Sequence, residues 1–151
     1  MYSRHEISQL RSQFWTTFGQ YMRPVPGAGG EEVNWINYKT GIRHLYFRMD
    51  AGREGVHIGI ELHQSDEEQR LLYYNRLRAT ADILYEHVQE QWHWQSSVTE
   101  SEGRVISRIG ISRNDIHLFN KEHWPAIISW LKPRIIALDA YWYEVKEIIA
   151  S

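Results

Sequence analysis

Two stretches near the middle of the chain alternate apolar and polar residues with the period of a β-strand. Between residues 45 and 50, and again between residues 56 and 62, every second residue is apolar. Successive side chains of a strand point to opposite faces, so each stretch presents one apolar and one polar face. We therefore predict a β-hairpin over residues 43–63 that closes at residues 51–54.

The polar face of this hairpin carries basic, acidic and aromatic side chains, which makes it the best candidate for a functional surface. A turn at residues 51–54 pairs Arg48 with His57, Tyr46 with Gly59, and His44 with Glu61. Residues that face each other in this way have β-carbons about 5 Å apart and can act together.

Apolar residues spaced three and four apart predict three helices, over residues 3–21, over 65–88, and from Trp124 to Ile149. The first two begin with a serine followed three residues later by a glutamate, the spacing of a capping box. Pro133 lies inside the third, where it removes a backbone hydrogen bond, so we expect a kink or short break there.

The remaining segments complete an α+β fold. Residues 33–38 predict a strand before the hairpin, residues 92–98 and 104–112 predict a second hairpin, and residues 24–30, rich in Pro and Gly, predict a flexible linker. The expected order is α-βββ-α-ββ-α, with one antiparallel sheet of about five strands, helices packed on one face and a long C-terminal helix.

The length of 151 residues suits one domain spanning residues 1–151. The 17 basic and 19 acidic residues argue against nucleic-acid binding driven mainly by net charge, although they are compatible with a local basic patch. The chain has no cysteine, which excludes disulfides and thiolate catalysis. No apolar run is long enough to cross a membrane, so we expect a soluble cytoplasmic protein.

The apolar seam of the predicted C-terminal helix is long and unbroken. From Trp124 to Ile149 its members follow a 4-3-4-3-4-3-4 spacing. The seam can pack across the sheet, or its end can extend into a homodimer interface.

A metal site is one interpretation of the hairpin's polar face. His44, Glu61 and His63 would lie close together in the predicted register, and two imidazoles with a carboxylate suit Zn²⁺ or Fe²⁺. Such a site would make the protein a metal-dependent enzyme of nuclease or hydrolase type. The alternative is a polar strand face with no metal.

A binding surface is the interpretation that we favour. Positive charge and an aromatic ring, the ingredients of phosphate contact and base stacking, occur together on or beside the hairpin, at Tyr46, Arg48, His57, Lys39 and Arg53. Acidic residues interrupt the positive field, so a protein partner is as compatible with the pattern as nucleic acid.

Several segments spread along the chain resemble one known family. They are residues 11–15, 34–41, 47–51, 124–128, 131–134 and 138–139. As a set they resemble the bacterial family catalogued as domain of unknown function 4268. The resemblance implies a compact α+β domain. Longer relatives sometimes carry the domain beside a nuclease-like region, so it also implies an accessory role near nucleic acid. It assigns no catalytic residue and no cofactor, and we expect a non-catalytic accessory or binding module.

Overall fold

The computed structural model describes residues 2–151. Its elements are α1 (Arg4–Met22), β1 (Leu45–Gly52), β2 (Gly55–Leu62), α2 (Glu67–Ala79), α3 (Ala81–Val88), β3 (His93–Thr99), β4 (Val105–Arg113), one 3-10 turn (Lys121–His123) and α4 (Trp124–Ala150). The strands form one antiparallel sheet in the order β1-β2-β4-β3. The α+β prediction is confirmed, with four strands where about five were expected.

The core lies between the apolar face of the sheet and the helices. Ile58, Ile60 and Ile109 on the two central strands are fully buried. Phe47 of β1 packs edge-on against Trp142 of α4, with 5.7 Å between ring centroids. Each large side chain buried in this way stabilises the fold by about 1.5–3 kcal/mol.

Helix α4 runs without a break from Trp124 to Ala150, so the break expected at Pro133 does not occur. Leu131 and Ile135, on either side of the proline, are buried, and their packing offsets the lost hydrogen bond. Although α4 has 27 residues, neither it nor any other helix within residues 2–151 is long and apolar enough to cross a membrane.

The apolar seam of α4 is used inside a single copy of the chain. Its members from Ile128 to Ile149 are all buried in the core. The homodimer stays a prediction, and it would need other side chains of this helix, such as the exposed Tyr143 and Ile148.

Residues 33–38 do not form the predicted strand, because their aromatic side chains anchor a loop instead. The indole N–H of Trp35 donates to the carbonyl of Val25 at 3.0 Å. The hydroxyl of Tyr38 donates to the Asp139 carboxylate of α4 at 2.5 Å. The aromatic side chains of this segment therefore hold a loop, Tyr38 against α4 and Trp35 against the residues that follow α1, and take no part in the sheet.

The predicted flexible linker is also held in place. The N–H of Gly27 donates to the carbonyl of Glu31, and the N–H of Ala28 donates to Asp139 at 2.7 Å. Asp139 is only 4% exposed. The prediction of a linker was wrong because this buried carboxylate, far away in sequence, supplies the loop with a partner.

Two local predictions about helix ends have opposite outcomes. The capping box of α1 is confirmed, with Ser3 and Glu6 each bonding the other's backbone N–H. The capping box predicted for the second helix is wrong, because the N-cap of α2 is Asp66, whose side chain makes no capping bond. The single helix expected over residues 65–88 is divided into α2 and α3 at Thr80, whose hydroxyl bonds the carbonyl of Leu77.

The hairpin of β1 and β2 is tighter than predicted. Only Arg53 and Glu54 separate the two strands, and Gly55 takes a φ of 138° that favours glycine. The register is displaced by two residues, so Arg48 lies opposite Gly59 rather than His57. A shift of two leaves every side chain on its predicted face.

Candidate binding surface on the polar face of the sheet

The face of the sheet opposite the core carries three rows of mostly polar residues. Across the strands they are Tyr46, Glu61, Arg108 and Gln95; Arg48, Gly59, Gly110 and His93; and Asp50, His57 and Ser112. Within residues 2–151, no hydrogen bond or ion pair joins these side chains to a helix. We call this surface the polar face.

A buried carboxylate lies in the first row. Glu61 accepts hydrogen bonds from His63 Nε2 at 2.8 Å and from Arg108 Nε at 3.3 Å, and its side chain is 7% exposed. Burial acts to raise the pKa of Glu61, but His63 and the Arg108 charge outweigh it and hold the pKa below its ordinary value. Glu61 therefore stays ionised and fixes both partners.

An aromatic and a basic side chain lie together on the edge strand β1. The Arg48 guanidinium is 4.4 Å from the centre of the Tyr46 ring, which in turn packs edge-on against His63 at 4.9 Å. Arg48 itself is exposed. The pair presents a preorganised cation above an aromatic ring, since stacking limits the motion of the guanidinium.

Two glycines in the central strands leave a trough in the polar face. A Cβ on Gly110 would lie 2.7 Å from Cε1 of His57, so the imidazole occupies the space that a side chain would take. His57 Nδ1 is 2.7 Å from Ser112 Oγ, and its Nε2 is buried without a partner among the described residues. Burial, with the nearby Arg108 charge, lowers the pKa of His57, which favours the neutral ring.

The trough continues into a shallow depression beside His57. Its volume is about 370 Å³, and Arg108, Gln95 and His93 line it. Neither Gly59 nor Gly110 was singled out from the sequence. The sequence did contain a signal for these positions, namely a glycine in the middle of each predicted strand. A glycine there often marks a place where another group approaches the backbone closely.

The structure brings together only part of the binding surface predicted from the sequence. Tyr46, Arg48 and His57 share the polar face. Arg53 lies in the hairpin turn, with its guanidinium 5.5 Å from the centre of the Phe119 ring. Lys39 is exposed in the loop before β1 and lies outside the sheet.

The three side chains proposed as metal ligands do not converge. Glu61 and His63 are in contact, but His44 precedes β1 with a φ of 67°. Only its backbone carbonyl reaches the other residues, accepting from the N–H of His63 at 2.8 Å. Residues 2–151 contain no group of three His, Asp or Glu side chains that could hold a metal ion.

A second concave region lies where α1 approaches the hairpin turn. This cleft of about 830 Å³, which we call the tip cleft, is lined by Arg11, Trp15, Asp50, Arg53, Glu54 and Asn114, among others. The sequence did not identify Arg11 and Trp15 as site residues. Their spacing of four places both on one side of α1, and that was the only local signal.

Comparison with known proteins places the chain in one family. A family model described as a domain of unknown function (DUF4268) matches residues 10–146. The chain therefore belongs to this family, as the resemblance predicted. No curated protein and no solved structure is significantly similar to it.

Proposed function

We propose that this member of the family is a non-catalytic binding module that contacts a protein partner through the polar face, with Tyr46 and Arg48 at the centre of the contact. The observation that carries the proposal is the openness of this face. Its strands present exposed side chains on a rigid sheet, and no polar interaction ties the face to a helix within residues 2–151.

The geometry of the ionised groups favours binding over catalysis. A catalytic site needs convergent polar groups in a pocket that a substrate can enter. Glu61 and His63 form the one dyad on this side of the sheet that resembles an acid-oriented base, and both side chains are only 7% exposed. Neither lines the tip cleft or the depression beside His57. Both groups support the architecture of the face.

The charge balance favours a protein over nucleic acid. Arg48 and Arg108 are offset by Asp50 and Glu61 on the same face, and the lowered pKa of His57 favours its neutral form. Nucleic-acid binding depends on a surplus of positive charge that displaces counterions from the phosphates. Tyrosine and arginine, in contrast, are the residues that most often dominate protein interfaces.

Photo-crosslinking in the cells from which the protein comes tests this proposal. A benzoylphenylalanine in place of Asp50, an exposed residue beside Arg48 on the same face of β1, should crosslink to one defined protein, whereas the same group at Arg23, an exposed position outside the sheet, should not. The captured protein would then be purified and its affinity measured directly.

Matched double variants distinguish a specific contact from non-specific association. Tyr46→Ala/Arg48→Ala should weaken binding of the captured protein at least tenfold, since central Tyr and Arg residues each contribute about 2 kcal/mol or more. Tyr21→Ala/Arg23→Ala removes an exposed tyrosine and arginine elsewhere and should change nothing. Crosslinks to nucleic acid, no crosslinks, or equal effects of the two variants would refute the proposal.

A further inference from the structure

The tip cleft adjoins the polar face, with which it shares Asp50, His57 and Ser112, but its cations come from other parts of the chain. Arg11 reaches it from α1 and Arg53 from the hairpin turn, so two guanidinium groups from distant parts of the chain line one concave region. Arg11 lies beside the backbone of Gly52, with Nη2 3.7 Å from the position that a Cβ would take there. Neither guanidinium has a carboxylate partner within residues 2–151.

The third arginine of the cleft is already neutralised. Arg113 binds Asp115 through two hydrogen bonds, at 2.6 and 2.9 Å. Arg11 and Arg53 are therefore the cations available to a ligand. Guanidinium groups bind phosphate oxygens through paired N–H donors, so two of them in one cleft suit a phosphate group.

An aromatic ring and two carboxylates accompany these cations. Trp15 is half-buried and lines the cleft, while Phe14 and Phe18 hold its ring edge-on from the core side. A ring held in this way can serve as a stacking platform for a planar base.

Asp50 and Glu54 line the same cleft, and neither makes a side-chain hydrogen bond within residues 2–151. Carboxylates beside a phosphate site accept hydrogen bonds from ribose hydroxyls. The same carboxylates repel the continuous charge of a long strand, which favours a short ligand.

We infer that the tip cleft binds a nucleotide, with its phosphates on Arg11 and Arg53, its base on Trp15, and its ribose hydroxyls near Asp50 and Glu54. The cleft volume of about 830 Å³ suits a small ligand. The inference does not depend on the protein partner proposed above, because Tyr46 and Arg48 do not line the cleft.

Isothermal titration calorimetry with four probes tests the inference. Adenosine offers a base and a ribose, pyrophosphate offers only phosphates, ADP offers all three groups, and a ten-residue single-stranded RNA offers a chain of nucleotides. ADP should bind more tightly than adenosine or pyrophosphate. The RNA should bind no more tightly than ADP, and tighter binding of the RNA would overturn the assignment of the cleft to a free nucleotide.

Paired arginine variants decide whether binding occurs in the cleft. Arg11→Ala/Arg53→Ala should weaken ADP binding at least tenfold, and Arg4→Ala/Arg23→Ala, which removes two exposed arginines of the α1 region outside the cleft, should leave it unchanged. Equal circular dichroism spectra and melting temperatures would show that all variants are folded. No heat with ADP at millimolar concentration, or equal binding by both double variants, would overturn the inference.

Discussion

The substitution Asp139→Ala should destabilise the fold more than any other single change on α4 that leaves the apolar core intact. The buried Asp139 carboxylate accepts from the N–H of Ala28 and from the hydroxyl of Tyr38. Removing it leaves both donors without their partner. Burial raises the pKa of Tyr38, and this cause remains in the variant, so the hydroxyl stays protonated as a donor without its acceptor.

The expected loss follows from these two bonds. Each hydrogen bond to a charged group contributes about 1.5–3 kcal/mol, so two of them contribute about 3–6 kcal/mol. Domains of ordinary stability unfold with only about 5–15 kcal/mol. At about 2–4 °C for each kcal/mol in a domain of this size, the melting temperature should fall by at least about 6 °C. Asp139→Asn keeps one acceptor oxygen and should give an intermediate loss.

Urea denaturation followed by far-ultraviolet circular dichroism measures this loss directly. Glu147→Ala is the matched control, because Glu147 is exposed on the same helix and its carboxylate forms no ion pair within residues 2–151. If Asp139→Ala and Glu147→Ala unfold at the same urea concentration, the loop anchor contributes nothing and the reasoning fails.

Three further predictions concern the polar face. Burial lowers the pKa of His57 from 6.5, so the folded protein binds this proton more weakly than the unfolded chain and loses stability as the pH falls below about 6.5. His57→Gln should therefore reduce the fall of the urea midpoint between about pH 7 and pH 5, and an equal fall in both proteins would contradict this reasoning. Despite burial, the ion-pair partners of Glu61 hold its pKa below 4.5, so Glu61→Gln should lower the melting temperature at pH 7. This difference from the unsubstituted protein should disappear as the pH falls below about 4.5, and an equal difference at both pH values would show that the charge plays no part. Gly110→Ala would force its Cβ against the His57 ring and should cost about 1–3 kcal/mol on chemical denaturation, more than Ser112→Ala, and equal losses would show that the trough can relax.

The hairpin could be predicted from the sequence because its determinants are local. Alternation places Tyr46 and Arg48 on the polar face in the predicted register and in any register that differs from it by an even number of residues, because only an odd shift reverses the faces. The length of the turn was harder, because the positive φ that lets Gly55 close a two-residue turn is not visible in the alternation pattern.

The loop over residues 24–42 could not be predicted, because its partners are remote. Trp35 and Tyr38 are residue types common in strands, yet the Tyr38 hydroxyl bonds a carboxylate 101 positions away. The same reason explains the tip cleft, which joins Arg11 of α1 to Arg53 of the hairpin turn. His44 failed as a predicted metal ligand for a different reason, since its positive φ takes it out of the strand.

The Asp139 anchor also has a consequence for how the chain reaches its native state. The two hydrogen bonds that hold the loop connect residues 101 and 111 positions apart. Both hairpins precede α4 in the chain, but Ala28 and Tyr38 have no acceptor for these bonds until Asp139 leaves the ribosome. Contacts between such distant residues slow folding. The loop therefore lacks its anchor on α4 during most of translation, and its apolar side chains are exposed to non-native contacts until α4 is synthesised.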